Sequence, residues 1–148
     1  MTTVAYKDGI MAFDSRVTSD YSHIGYMTKG RKTSKFLVST CGSVEEGEMF
    51  MDWIAGGGIT ADRKLFGLDK DLDNFIGMCV NKSGKVFIYE SKLYPFVIDA
   101  PFHAIGSGAD FAIGAMAAGK SATDAVKIAA KFDLATGGAI RTISWGKK

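Results

Sequence analysis

Residues 2 to 16 read Thr2-Thr3-Val4-Ala5-Tyr6-Lys7-Asp8-Gly9-Ile10-Met11-Ala12-Phe13-Asp14-Ser15-Arg16. Two short apolar runs, Thr3 to Tyr6 and Ile10 to Phe13, flank Lys7-Asp8-Gly9. An Asp-Gly pair between such runs signals a tight hairpin, because glycine tolerates the positive φ these turns need. The stretch therefore predicts two antiparallel strands. Asp14 follows the second run directly, which sets a carboxylate at the inner end of a strand. A carboxylate there needs a partner. It serves equally well as a residue capping the Asp14-Ser15-Arg16 turn.

Working outward, Phe36 to Thr40 reads as a strand ended by Gly42. Ser43-Val44-Glu45-Glu46 has the capping-box pattern, and apolar residues at helical spacing (Met49, Phe50, Trp53, Ile54) follow it. Gly56-Gly57-Gly58 interrupts this helix, and the charged residues 59 to 73 allow at most a short second one. Phe75 to Val80 and Lys85 to Tyr89 predict paired strands around Asn81-Lys82-Ser83-Gly84. Phe96 to Ile98 and His103 to Ile105 are two further short strands, with His23 read as a surface residue. Ala109 to Ala118 and Ser121 to Phe132 are helices, the second capped by Ser121 with Asp124 three residues on, and Ala139 to Ile143 is a last strand. Strands in hairpin blocks argue for packed antiparallel sheets with helices outside, an α+β chain, rather than alternating βαβ units. A four-layer αββα sandwich is compatible with this order.

Composition narrows the function classes. The 148 residues suit one domain, 1–148, with a real core; 47% are hydrophobic and 23% charged. A net charge of +2 is too small for a nucleic-acid footprint. No apolar run approaches the roughly 18 residues of a membrane span, and the first residues lack the pattern of a signal peptide. Cys41 and Cys79 are the only cysteines. Two isolated thiols make neither a metal site nor a disulfide framework, so they are expected to be buried and reduced in a cytoplasmic protein. No metal or cofactor is called for. The basic run Lys29-Gly30-Arg31-Lys32 reads, at its plainest, as a solvated turn.

Four segments in order resemble the proteasome β-subunit and HslV-type family of N-terminal nucleophile hydrolases. They are Thr2-Thr3-Val4 with Lys7-Asp8-Gly9 and Ala12-Phe13-Asp14-Ser15-Arg16; Lys32 with Phe36, and the strand ending Cys41-Gly42-Ser43; Ile105-Gly106-Ser107-Gly108 before Phe111-Ala112-Ile113-Gly114-Ala115; and Asp133-Leu134-Ala135-Thr136-Gly137-Gly138. Thr136 stands where the family carries Ser, the first hairpin is compressed, and the chain is shorter than is usual. The resemblance implies the αββα sandwich, in a shortened form.

It also implies a threonine peptidase. Thr2, freed by removal of Met1, would be the nucleophile, with its own α-amine as base; the unperturbed pKa of such an amine is about 7.7–8.0. Lys32 would sit beside it, lowering the amine's pKa, held by Asp14. Lys29 and Lys35 are expected to face solvent. Gly42 would offer its N–H to the oxyanion, a kind of donor worth about 2.7–4 kcal/mol. Ser107, Asp133 and Thr136 would hydrogen-bond around the threonine amine and the lysine. The family works as rings enclosing a chamber, so a homo-oligomer acting on peptides or unfolded protein is implied. HslV-like members depend on an ATPase unfoldase; no Walker motif is present, so any ATPase would be a separate chain. Two rivals remain: an inactive scaffold subunit of the same fold, and an amidase of the superfamily acting on a small molecule. Occupancy of every catalytic-type position favours an enzyme.

Overall fold

The computed structural model describes residues 2–19 and 22–145. Strands β1 (Thr3–Lys7) and β2 (Ile10–Phe13) form the expected hairpin. Asp8 at φ 52° and Gly9 at φ 81° supply the two positive φ angles of its turn. Next come β3 (Arg16–Ser19), β4 (Ser22–Tyr26), β5 (Gly30–Lys32) and β6 (Leu37–Gly42). Helix α1 (Val44–Ala55) precedes two short 3-10 turns, Gly58–Thr60 and Arg63–Phe66. Then follow β7 (Phe75–Val80), β8 (Val86–Tyr89), β9 (Phe96–Ile98), β10 (Phe102–Gly106), α2 (Ala109–Ala117), α3 (Ala122–Phe132) and β11 (Arg141–Ser144). Among the described residues, no helix is long and apolar enough to cross a membrane.

One sheet has the strand order β10-β1-β2-β11 and the other β5-β6-β7-β8-β9, all neighbours antiparallel. Strand alternation explains how they stack. Val4, Tyr6, Met11 and Phe13 of the first sheet meet Leu37, Cys41, Met78 and Val80 of the second in one buried cluster. The opposite face of the first sheet shows Ala5, Ala12 and Ala104, small enough for α2 and α3 to lie close, with Met116 and Val126 between. The opposite face of the second sheet packs Val38, Phe75 and Cys79 against Phe50, Trp53 and Ile54 of α1. The result is the αββα sandwich, helix layers outside and two sheets inside.

Both outer helices start as their caps dictate. Ser43 Oγ accepts from Glu46 N at 3.2 Å, and Ser121 Oγ from Asp124 N at 3.1 Å. The reciprocal arm of the first box is missing, since buried Glu46 Oε1 has no partner. Residues 16 to 32 depart from expectation. They carry three strands, with β3 and β4 pairing as a separate ribbon, and the basic run read as a turn is largely β5. Cys41 and Cys79 are buried free thiols, and burial pushes the Cys41 thiol up to about 11. His23 lies exposed in β4, and His103 lies half-buried in β10.

Candidate active site

The start of the chain is clamped between the sheets. Thr2 is 6% exposed, and its carbonyl accepts from Ser107 N at 2.9 Å. Gly106 makes that approach possible: its φ is 103°, and a Cβ there would lie 1.8 Å from Thr2 O. On the next residue, Thr3 N donates to Asp14 Oδ1 at 3.2 Å, and Asp14 N donates back to Thr3 O at 3.3 Å.

Asp14 is wholly buried, and its carboxylate is fully engaged. It accepts from Thr3 N, from Gly137 N at 3.0 Å, and from a lysine ammonium at 3.1 Å on each oxygen. That lysine is Lys29, not Lys32. Lys29 is 7% exposed, and Ser39 Oγ donates to its carbonyl at 2.7 Å. Lys32 is exposed, with its Nζ 5.7 Å from the centroid of the Trp145 ring. Register explains the correction. Gly30 pairs with Ser39 and Lys32 with Leu37, so Lys32 lies toward the β5–β6 turn while Lys29 lies toward Gly42. Three residues of strand separate them by about 10 Å. Gly30 completes the arrangement, because the Phe13 ring fills the place of its Cβ, at 2.3 Å. Asp14 follows Phe13 and Lys29 precedes Gly30, so this contact brings acid and base together. Burial pulls the Lys29 pKa below the ordinary lysine value, while the charge and hydrogen bonds of Asp14 oppose the shift.

Ser107, Asp133 and Thr136 also converge, though on Thr3. Asp133 Oδ2 accepts from Ser107 Oγ at 2.5 Å and from Thr136 Oγ1 at 2.6 Å. With its proton so placed, Thr136 Oγ1 accepts from Thr3 Oγ1 at 2.7 Å. Burial alone would raise the Asp133 pKa, but the two hydroxyls and Ala135 N–H hold it below the ordinary carboxylate value. Gly108 leaves room for this chain, since its Cβ would sit 2.2 Å from Thr3 Oγ1.

Thr2, Lys29 and Gly42 line a small open cleft with Met27, Glu48 and Met51. They also line a second cleft, walled by Arg16, Val17 and Thr18. Gly42 has φ 105°, and a Cβ on it would meet Asn74 O at 2.1 Å, so this bend between β6 and α1 requires glycine. Lys29, expected from the sequence to face solvent, is instead buried on Asp14, and Thr3 and Glu48 join the site without having been expected there. The hairpin register held the signal for Lys29; nothing local singled out the other two. The removal of Met1 lies outside the described residues.

No protein-family model matches the sequence, and no curated protein sequence matches it. Solved structures do match. Thiobacillus denitrificans BPH in complex with epoxomicin is 20% identical with a TM-score of 0.71, covering 96% of this chain and 96% of its own. HslV from Trypanosoma brucei is 16% identical with a TM-score of 0.72, covering 97% and 98%. The chain thus shares the fold of HslV and BPH over nearly its whole length.

Proposed function

We propose that the chain is a threonine-type peptidase acting through Thr2 once Met1 is removed. The observation that carries this is the placement of Thr2 in one cavity with Gly42 and with Lys29, whose ammonium is locked onto buried Asp14. The Thr2 hydroxyl attacks the substrate carbonyl carbon and passes its proton to the free α-amine. The C–N bond breaks, the departing amine takes that proton, and an ester on Thr2 remains. Water then hydrolyses the ester with the same amine as base. The Lys29 charge keeps the α-amine neutral and basic near working pH, and the Gly42 N–H stabilises the oxyanion. Asp14 holds Lys29, while Ser107, Asp133 and Thr136 fix the first residues of the chain.

The active form is a cytoplasmic homo-oligomeric ring on peptide or unfolded-protein substrates, with any ATPase unfoldase a separate chain. Thr2→Ala abolishes cleavage of small fluorogenic peptides in a folded protein, and intact mass shows the active wild type starting at Thr2. Epoxomicin, the ligand of one BPH structure, binds the wild type and not Thr2→Ala. A folded Thr2→Ala protein cleaving at the wild-type rate overturns the reading. A ring with Thr2 exposed that remains inert makes it a scaffold subunit.

A further inference from the structure

The end of the sandwich opposite Thr2 carries an unbalanced charge. Leu37 pairs with Val80 and Gly42 with Phe75, so the turns after β5 and β7 lie about 17 Å of strand away from Gly42. An open cleft between these two turns is lined by Ser34, Lys35, Phe36, Asn81, Lys82 and Ser83. Lys32 stands beside it: its ammonium and that of Lys82 lie 5.7 and 5.5 Å from the centroid of the same Trp145 ring. That ring is fixed in place, because Trp145 Nε1 donates to Asn81 O at 3.1 Å. Lys32, Lys35 and Lys82 are exposed, and among the described residues none of the three forms an ion pair. Lys85 and Asp99 sit one step beyond the Val86–Ile98 pair and offset each other. The β1–β2 turn meets the β7–β8 turn at the Tyr6 hydroxyl, between Gly9 and Gly84, and adds a single acid, Asp8. The net charge of +2 over the whole chain hides this local excess.

We infer that this cleft docks an acidic peptide segment of a partner protein, one in which aspartate or glutamate side chains are clustered. Lysines that repel one another gain from carboxylates set between them. The backbone amides of both turns are already engaged. Thr33 Oγ1 accepts from Lys35 N at 3.3 Å and Phe36 N at 2.9 Å, and Asn81 Oδ1 accepts from Ser83 N at 3.1 Å and Lys85 N at 2.9 Å. Recognition therefore falls to ammonium groups on flexible stems, which suits several carboxylates in a row better than one small anion in a backbone cradle. The Trp145 ring is engaged by two lysines rather than open to stack a nucleic-acid base. In the ring proposed above, with Thr2 toward the chamber, this end of the strands points outward. Cationic patches repeated around a rim cannot all meet one flat lipid surface, but each can take a peptide.

The test uses the full chain and a fluorescein-labelled oligoglutamate peptide, read by fluorescence anisotropy. Binding is expected at low salt and weakens as salt rises. Lys32→Gln, Lys35→Gln and Lys82→Gln together raise Kd by about 10-fold. Lys120→Gln, Lys127→Gln and Lys131→Gln together make the same change of net charge at exposed positions elsewhere and leave Kd little changed. Carbodiimide cross-linking of the peptide to the wild type, mapped by mass, joins it to Lys32, Lys35 or Lys82, which decides the matter should the first triple variant fail to fold. No binding at low salt, equal losses in the two triple variants, or cross-links confined to other lysines overturn the inference. So does tighter binding, lost in the first variant, of phosphatidylserine vesicles or of a single-stranded oligonucleotide, which would make the partner a membrane or a nucleic acid. Thr2→Ala binds the peptide as the wild type does, so the nucleophile reading and this one stand or fall separately.

Discussion

Strand register decides which lysine answers Asp14. Lys29 and Lys32 are chemically the same and three residues apart, yet one lies in a buried ion pair and the other is exposed, over the rim of the half-buried Trp145 indole. Lys29→Ala is expected to cost about 3–5 kcal/mol in urea unfolding, because it leaves a buried carboxylate without its cation, and to abolish peptide cleavage. Lys32→Ala and Lys35→Ala stay within about 0.5 kcal/mol, as exposed substitutions do, and keep activity. Equal losses for Lys29→Ala and Lys32→Ala would show that the ion pair contributes nothing. The need of Asp14 for a partner was legible in the sequence, since an acid directly after Ile10-Met11-Ala12-Phe13 is carried inward. The partner was not, because three lysines in seven residues have no local feature that tells them apart. The contact of Gly30 with the Phe13 ring does so, and it joins residues far apart in the chain.

At the scale of elements, legibility followed strength of pattern. The Asp8-Gly9 turn and the Ser43 and Ser121 caps stand where their chemistry put them, because each acts within a few residues. Strands β3 and β4 were missed since their residues are half-buried or exposed and show no apolar alternation. The end of β10 is where an element meets the site. Gly106 holds φ 103° with its would-be Cβ against Thr2 O. Gly106→Ala is expected to cost at least about 1–3 kcal/mol in strained backbone and, by pushing the chain start outward, to reduce cleavage further than its stability loss accounts for. Thermal melts paired with rates per folded molecule check this; a fully active, destabilised variant would show that the clamp on Thr2 is dispensable.

At the scale of the molecule, the site belongs to neither sheet. Thr2, Thr3 and Asp14 come with the β1–β2 sheet, Lys29 and Gly42 with the sheet of β5 and β6, and the core between the sheets fixes one set against the other. Equal damage to different cores should therefore have unequal consequences. Phe13 lies between the sheets with its ring against Gly30, and Met116 lies between the first sheet and its helices; both are essentially buried. Truncation to alanine costs about 3–5 kcal/mol for such a phenylalanine and about 2–5 kcal/mol for such a methionine. Phe13→Ala also removes the surface that seats Gly30, so the distance from Lys29 to Asp14 is no longer set by packing. The expected outcome is a large fall in kcat for Phe13→Ala after correction for the folded fraction, against near wild-type kcat for Met116→Ala. A KM change alone in Phe13→Ala would place the damage in substrate binding. Equal corrected kcat values for the two variants would mean that the Lys29–Asp14 pair holds its geometry without the packing between the sheets.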